Sequence, residues 1–252
     1  MEGVGTRVGV IFIFGLIAGS FLGIYLSDIQ EKKIFPAVLP RCVNCGGNLH
    51  WYHFVPIFSW FFPGGVRCKC GKKISIWYPL IQAGNALFWA VTFILCGFHL
   101  HTILYCLTIS ALFALSLIDA RTFQIPFSCN IFIGVLGIAA TILDTGKFLD
   151  HIAGFFGVSA LLLLVYFLTH GAGIGGGDIK LMATTGLLLG FRDNFIGFFF
   201  GCFYACVIHM VRMRFFGAKS RFAMGPYLAA GLLTAIWFGD KIADWYLYFV
   251  ER

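Results

Sequence analysis

Long apolar segments separated by short polar stretches make up most of the chain. A helix that spans a bilayer needs about 20 predominantly apolar residues, and several segments approach or reach that length. These segments are 8–27, 77–96, 100–118, 125–143, 152–169, 179–191, 195–211 and 222–238. The one sizeable polar stretch between them lies at 28–76. The pattern predicts an all-α polytopic membrane protein of about eight transmembrane helices, divided into a first helix (1–27), a polar insert (28–76) and a membrane core (77–252).

Composition supports this membrane class. Hydrophobic residues make up 60% of the 252 residues, and the mean hydropathy is +0.89. Soluble domains are only about 45–50% apolar. The first apolar run, 8–26, is long enough to span a bilayer and is not followed by a convincing small-residue cleavage site. We therefore expect no cleavable signal peptide.

The basic residues predict the orientation of the chain. A net charge of +7 occurs in nucleic-acid-binding proteins, but in a membrane protein Lys and Arg mark the cytoplasmic side. With eight spans, thirteen of the eighteen basic residues lie on the side that carries the insert. This bias predicts a multi-pass protein of the bacterial cytoplasmic membrane, with the insert in the cytoplasm and both termini outside. The lipid bilayer is the expected surrounding, and we expect no nucleic-acid partner.

Two carboxylates lie at the ends of membrane segments on that cytoplasmic side. Asp119 ends the third segment, and Asp178 begins the sixth. Asp178 follows a stretch, 171–177, in which five of seven residues are glycine. Each glycine weakens a helix by about 1 kcal/mol relative to alanine, so the backbone here allows close approach by a substrate chain and by water. We predict that the loop 173–177 receives the substrate.

Two interpretations fit this pair of acids: a catalytic pair, or two unrelated helix-end residues. If the carboxylates are close in a partly dry site, one keeps a proton while the other is ionised. The ionised carboxylate can activate water, and the protonated one can polarise a peptide carbonyl and later protonate the leaving amine. Alternatively, Asp119 and Asp178 are unrelated helix-end acids that pair with the nearby Arg121 and Lys180. The first interpretation predicts peptide hydrolysis near a membrane surface.

The insert carries four cysteines in two short pairs, each ending in Cys-Gly. They are Cys42, Cys45, Cys68 and Cys70. Four thiolates suit tetrahedral Zn²⁺, and paired cysteines in a reducing cytoplasm are typical metal ligands. The sequence therefore predicts a structural, zinc-ribbon-like site in the insert, with free or redox-active thiols as the alternative.

Several motifs, in order along nearly the whole chain, resemble those of the type IV prepilin peptidases, which are membrane aspartyl proteases of the GxGD class. The motifs are GLIAGSFL at 15–22, ISIWYPL at 74–80, LID at 117–119 with IP at 125–126, GGGDIKL at 175–181 and GPYLA at 225–229. The chain departs from the family pattern in three places. The second cysteine pair is Cys-x-Cys rather than Cys-x-x-Cys, Gln82 stands where relatives commonly carry Glu, and Gly23 stands where they commonly carry Asn.

The resemblance implies an aspartic endopeptidase that cleaves basic leader peptides from prepilins or pseudopilins at the cytoplasmic membrane face. Asp119 and Asp178 carry over as the catalytic pair. The predicted substrate-binding residues are Gly175, Gly176, Gly177 and Lys180. The resemblance also implies N-methylation of the new N-terminus with S-adenosylmethionine, an activity linked to the cysteine-bearing half of the chain.

Three other functions remain open at this point. The first is a peptidase without methyltransferase activity. The second is a transporter whose intramembrane acids bind a proton or cation, and the third is a zinc-bearing scaffold that docks partners. A transporter predicts acids near the middle of the membrane and an inverted internal repeat, and the sequence has neither feature.

Overall fold

The computed structural model of the chain describes residues 2–30, 76–171, 173–217 and 222–250. The regular structure in these ranges is entirely helical, in agreement with the predicted all-α architecture. The helices are α1 (Glu2–Gln30), α2 (Trp77–Cys96), α3 (Leu100–Thr122), α4 (Phe127–Leu143), α5 (Phe148–Leu168), α6 (Gly176–Phe216) and α7 (Gly225–Val250), and a short 3₁₀ turn (Thr145–Lys147) precedes α5.

Length and composition make five of the described segments suitable to cross a membrane. They are Gly5–Leu26, Trp77–Cys96, Leu100–Thr122, Thr145–Leu168 and Gly176–Phe215, and α4 is apolar but shorter. The predicted polytopic membrane protein is therefore confirmed. The chain divides into two compact units, 1–102 and 103–252, and we describe each by itself.

In the first unit, α1 and α2 pack closely through glycines. A Cβ added at Gly15 would lie 2.8 Å from the Cα of Ala86, and one at Gly19 would lie 2.7 Å from the Cα of Gln82. The two contacts run in opposite directions along the helices, which are therefore antiparallel. Asn85 adds a hydrogen bond from its Nδ2 to the carbonyl oxygen of Gly15, at 2.8 Å. Small residues at four-residue spacing allow such close helix packing in membranes.

In the second unit, the long helix α6 is broken at Gly190. The backbone angles there are φ 81° and ψ 176°, a conformation that only glycine adopts readily. The break separates α6a (176–189) from α6b (191–216), and these two pieces carry the predicted segments 179–191 and 195–211. With both pieces counted, all eight predicted segments are helical in the described residues. The sixth begins three residues earlier than predicted.

A buried asparagine holds the two pieces of α6 together. The Nδ2 of Asn194 donates to the carbonyl oxygen of Met182 at 3.0 Å, and its Oδ1 accepts from the Thr185 hydroxyl at 2.9 Å. In a continuous helix, residues 182 and 194 would be about 18 Å apart, because each residue adds about 1.5 Å. The hydrogen bonds therefore require α6b to turn back beside α6a.

The start of α6b is capped by a neighbouring helix. The Asp150 carboxylate, in the first turn of α5, accepts a hydrogen bond from the Phe191 backbone N–H at 3.2 Å. A carboxylate at a helix N-terminus satisfies a free N–H group and is favoured by the helix dipole. Beyond the break, α6b packs against α7 so closely that a Cβ at Gly231 would overlap the carbonyl oxygen of Gly197.

We expect Gly190→Ala to lower the free energy of unfolding by about 1–3 kcal/mol from backbone strain alone. A further loss is expected because the added Cβ would overlap the Asp150 carboxylate that caps α6b. Thermal melts or SDS titrations of the detergent-solubilised protein measure the change.

Gly9→Ala is the matched control for this glycine substitution, since a Cβ at Gly9 meets nothing within 4 Å. It should leave stability unchanged or raise it by up to about 1 kcal/mol, the helix-propensity difference. Equal melting temperatures for the Gly190 and Gly9 variants would contradict the role assigned to the break.

Candidate active site

The structure places Asp119 and Asp178 in one cleft, although they are far apart in sequence. Asp119 lies in the last turn of α3, and Asp178 lies in the first turn of α6. Both residues are buried, with 4% and 9% of their surfaces exposed, and both line a cleft with a volume of about 510 Å³. The two carboxyl groups interact electrostatically. This is the geometry that a carboxylate pair needs, since each group can reach a substrate held in the same space.

The Asp119 carboxyl group is held by the start of α7. Its Oδ2 accepts a hydrogen bond from the backbone N–H of Gly225 at 2.8 Å. A side chain at Gly225 would place a Cβ 2.7 Å from the same oxygen, so glycine is required for this approach. The motif at 225–229 was noted in the sequence, but its contact with an acid 106 residues earlier could not be read from it.

The Asp178 carboxyl group is held within its own helix end. Gly175 is the N-cap of α6, and its carbonyl oxygen accepts a hydrogen bond from the Asp178 backbone N–H at 3.1 Å. The Asp178 carboxyl group lies close to Gly175, since a Cβ added there would be 3.1 Å from its Oδ2. The N-terminus of a helix also favours a negative charge.

The predicted glycines line the cleft, but they are not all in a loop. Gly175 precedes α6, whereas Gly176 and Gly177 form its first residues. A Cβ at Gly177 would lie 3.0 Å from the Cβ of Ile125, whereas a Cβ at Gly176 would meet nothing within 4 Å. The predicted receiving loop is therefore partly a helix start, and Gly176 faces open space.

Lys180 contacts an aromatic ring outside the cleft lining. Its amine is 5.2 Å from the centre of the Phe127 ring, and Lys180 is not among the residues that line the cleft. The ion pairs between described residues join Lys147 to Asp144, and Arg192 to Asp193 and Asp240. Neither Asp119 nor Asp178 is therefore paired with Arg121 or Lys180. The substrate-binding role of Lys180 stays a prediction.

The rest of the cleft wall is largely apolar, and the sequence interpretation did not assign these residues to the site. The wall residues are Phe123, Ile125, Phe222, Ala223 and Met224. Phe123 has φ 56°, an uncommon conformation for an aromatic residue. Its N–H donates to the carbonyl oxygen of Asp119 at 2.8 Å, and α3 ends at the preceding residue, within one turn of the acid. The two acids therefore lie beside apolar side chains in the cleft.

The predicted zinc ligands lie outside the described residues. They are Cys42, Cys45, Cys68 and Cys70. Within the described ranges, no group of three or more His, Cys, Asp or Glu side chains is placed to hold a metal ion. The zinc site stays a prediction.

Comparison with known proteins identifies the family. Residues 13–96 match the bacterial peptidase A24 N-terminal domain, and residues 106–210 match the type IV leader peptidase family. A prepilin leader peptidase/N-methyltransferase of Bacillus subtilis (strain 168) is 32% identical over 95% of this chain and 98% of its own length. Proteins of the same description from Aeromonas salmonicida (strain A449) and Pseudomonas aeruginosa are each 25% identical over 94% of this chain, and over 93% and 92% of their own lengths. No solved structure is a significant match. With matches that extend over nearly its whole length, the chain belongs to the type IV leader peptidase family.

Proposed function

We propose that this chain is a membrane-embedded aspartic endopeptidase that removes the basic leader peptide from type IV prepilins or pseudopilins. The observation that carries the proposal is the cleft in which Asp119 and Asp178 are both buried without a basic partner among the described residues. The relatives' names supply the substrate class. The excess of basic residues on one side supports cleavage at the cytoplasmic face.

Hydrolysis follows from two carboxyl groups that share one proton. The ionised carboxylate removes a proton from water, and the resulting hydroxide attacks the scissile carbonyl carbon, while the protonated carboxyl donates a hydrogen bond to the carbonyl oxygen. When the tetrahedral intermediate collapses, the C–N bond breaks and a carboxyl group protonates the leaving amine. The pair titrates as one unit, and we assign neither role to Asp119 or Asp178 individually.

The substrate must be extended before this attack. A helical peptide bond is shielded by its own hydrogen bonds, and an extended strand can instead pair with exposed backbone groups. Gly175, Gly176 and Gly177 supply such backbone at the cleft, where the absence of side chains permits close approach. We propose that they receive the strand around the scissile bond.

We expect Asp119→Asn and Asp178→Asn each to abolish leader cleavage, because an amide cannot share the proton that the reaction moves. Cleavage of a co-expressed prepilin, followed by gel shift or mass spectrometry, measures the loss. Asp144→Asn is the control, since Asp144 lies outside the cleft and its carboxylate only faces Lys147 at 3.9 Å.

Strong cleavage by either purified cleft variant would remove that aspartate from the mechanism. Failure of the wild-type protein to cleave any prepilin would instead favour the transporter or the scaffold.

We expect Gly176→Val to lower kcat/KM by at least about tenfold, equivalent to roughly 1.4 kcal/mol of transition-state stabilisation. A side chain at Gly176 meets no protein atom within 4 Å of its Cβ, so the chain itself has no clash to relieve. The loss would come from contact with the substrate. Kinetics and thermal melts of the solubilised protein measure the two effects separately.

Gly175→Val and Gly177→Val are expected to lower cleavage as well, but for mixed reasons. Their Cβ atoms would lie 3.1 Å from the Asp178 Oδ2 and 3.0 Å from the Ile125 Cβ, respectively. Wild-type rates for Gly176→Val with an unchanged melting temperature would rule out docking at this position.

A second activity, N-methylation of the newly freed amine, is favoured by the relatives' names. S-adenosylmethionine is the expected methyl donor, and its methyl group would pass to the free amine nitrogen. We propose that the cysteine insert holds a structural Zn²⁺ that supports this activity rather than proteolysis.

We expect purified protein to contain about one Zn²⁺ per chain, since four thiolates complete a tetrahedral site. Cys45→Ser should lower the metal content and reduce methylation of the mature pilin more than leader removal. Elemental analysis and mass spectrometry of a co-expressed prepilin measure both effects. A metal-free wild-type protein with four freely alkylated insert thiols would defeat the zinc proposal. A mature pilin that never gains a methyl group would show that the protein is a peptidase without methyltransferase activity.

A further inference from the structure

The short segment that precedes α7 contributes to the cleft in two ways. Phe222 and Met224 lie in its wall, and the N–H of Gly225 binds the Asp119 carboxyl group at 2.8 Å. A displacement of this segment would therefore move the wall and the hydrogen-bond donor together. Whatever fixes residues 222–225 also fixes the surroundings of Asp119.

A buried histidine from α6b contacts this segment. The imidazole of His209 stacks on the Phe222 ring, with centroids 4.3 Å apart and an interplanar angle of 27°. Phe222 in turn meets the Tyr227 ring edge-on at 5.8 Å. His209 is 8% exposed and is not itself a lining residue of the cleft. Its contact with the cleft wall is the stack on Phe222.

The hydrogen-bonding capacity of His209 is not what holds the segment. Its Nδ1 is buried and has no hydrogen-bond partner within the described part of the chain. A buried polar atom without a partner costs about 1–3 kcal/mol. Offset or stacked aromatic rings attract each other by about 0.5–1.5 kcal/mol beyond the area they bury. The stacked face is the contact that reaches the cleft.

We propose that His209 is a positioning residue for the peptidase. By stacking on Phe222, it fixes the segment that forms one apolar wall of the cleft and supplies the Gly225 N–H to Asp119. Phe222 then limits the size of the side chain that fits beside the scissile bond. This inference rests on the proposed peptidase function.

The test compares three variants of the full chain: His209→Ala, which removes the stack, His209→Phe, which keeps an aromatic face, and Met210→Ala as control. Met210 is the next residue in α6b and is 60% exposed, so its side chain contributes nothing to this contact. The substrates are two prepilins that differ only in the residue after the scissile bond, phenylalanine in one and alanine in the other. The kcat and KM values for each are measured on detergent-solubilised protein.

We expect His209→Ala to lower kcat/KM by about tenfold or more and to change the ratio of kcat/KM between the two substrates, because a freed Phe222 no longer defines the wall. His209→Phe should restore both the rate and the ratio to near wild-type values, and Met210→Ala should change neither. Phe222→Leu should shift the ratio in the same direction with His209 in place. This fourth variant gives the answer even where His209→Ala does not fold.

Three results would overturn the positioning role. They are full activity with an unchanged ratio in His209→Ala, no rescue by His209→Phe, and an unchanged substrate ratio in Phe222→Leu. In each case the wild-type protein still cleaves both prepilins, so the proposed peptidase function survives. If the wild-type protein cleaves neither, the function and the positioning role fall together.

Discussion

The site depends on how two buried carboxyl groups are held in one cleft. A buried carboxyl group needs polar partners, and here each one lies against the backbone of a glycine. The Gly225 N–H donates to Asp119 at 2.8 Å, and Gly175, the N-cap of α6, lies beside the Asp178 carboxyl group. In both cases a Cβ on the glycine would approach a carboxylate oxygen, to 2.7 Å and 3.1 Å. Neither acid forms an ion pair with a described basic residue, so the remaining oxygen lone pairs stay open to water and substrate.

This arrangement requires three chain segments to meet at one end of the helical unit. They are the end of α3, the start of α6a and the start of α7. The break at Gly190 makes the third possible, because α6b can return beside α6a and bring the chain back to the cleft before α7 begins. Without the break, a continuous α6 of 41 residues would extend for about 60 Å and carry α7 away from Asp119. The hydrogen bonds of Asn194 and the cap from Asp150 hold the two pieces of α6 at the break, and in this way they help to place the start of α7 beside Asp119.

Much of this organisation could be predicted from the sequence because it follows from hydrophobic length and charge. Apolar runs gave the helical segments, and the number of segments between Asp119 and Asp178 predicted that both acids lie on one side of the membrane. The polar residues Arg192 to Asn194 predicted a division of the long helix, and the break lies just before them, at Gly190. The length of an apolar segment and the position of a polar interruption depend on the local sequence, so they can be predicted without knowing the tertiary packing.

The contacts that complete the site are not local, and the sequence did not reveal them. The donor role of Gly225 depends on a helix end more than 100 residues earlier in the chain. Helix propensity predicted a loop through Gly177, but the N-cap at Gly175 and the packing of Gly177 against Ile125 allow the helix to begin at Gly176. The position of the Lys180 amine 5.2 Å from the centre of the Phe127 ring could not be read from the sequence either. Only the folded backbone determines which of several nearby partners a side chain meets.

The packing behind the two acids also separates the competing functions. On the interior side of Asp119, Leu112 and Leu115 of α3 are fully buried, and on the interior side of Asp178, Leu181 and Met182 of α6a are fully buried. A path for ions across the membrane needs polar groups or water that continue beyond the acids. Immediately beyond each acid these buried residues are apolar, and the buried Thr185 and Asn194 further along hydrogen-bond to each other and to backbone carbonyl oxygens. This packing favours the proposed peptide hydrolysis, which needs one water molecule and no route through the bilayer.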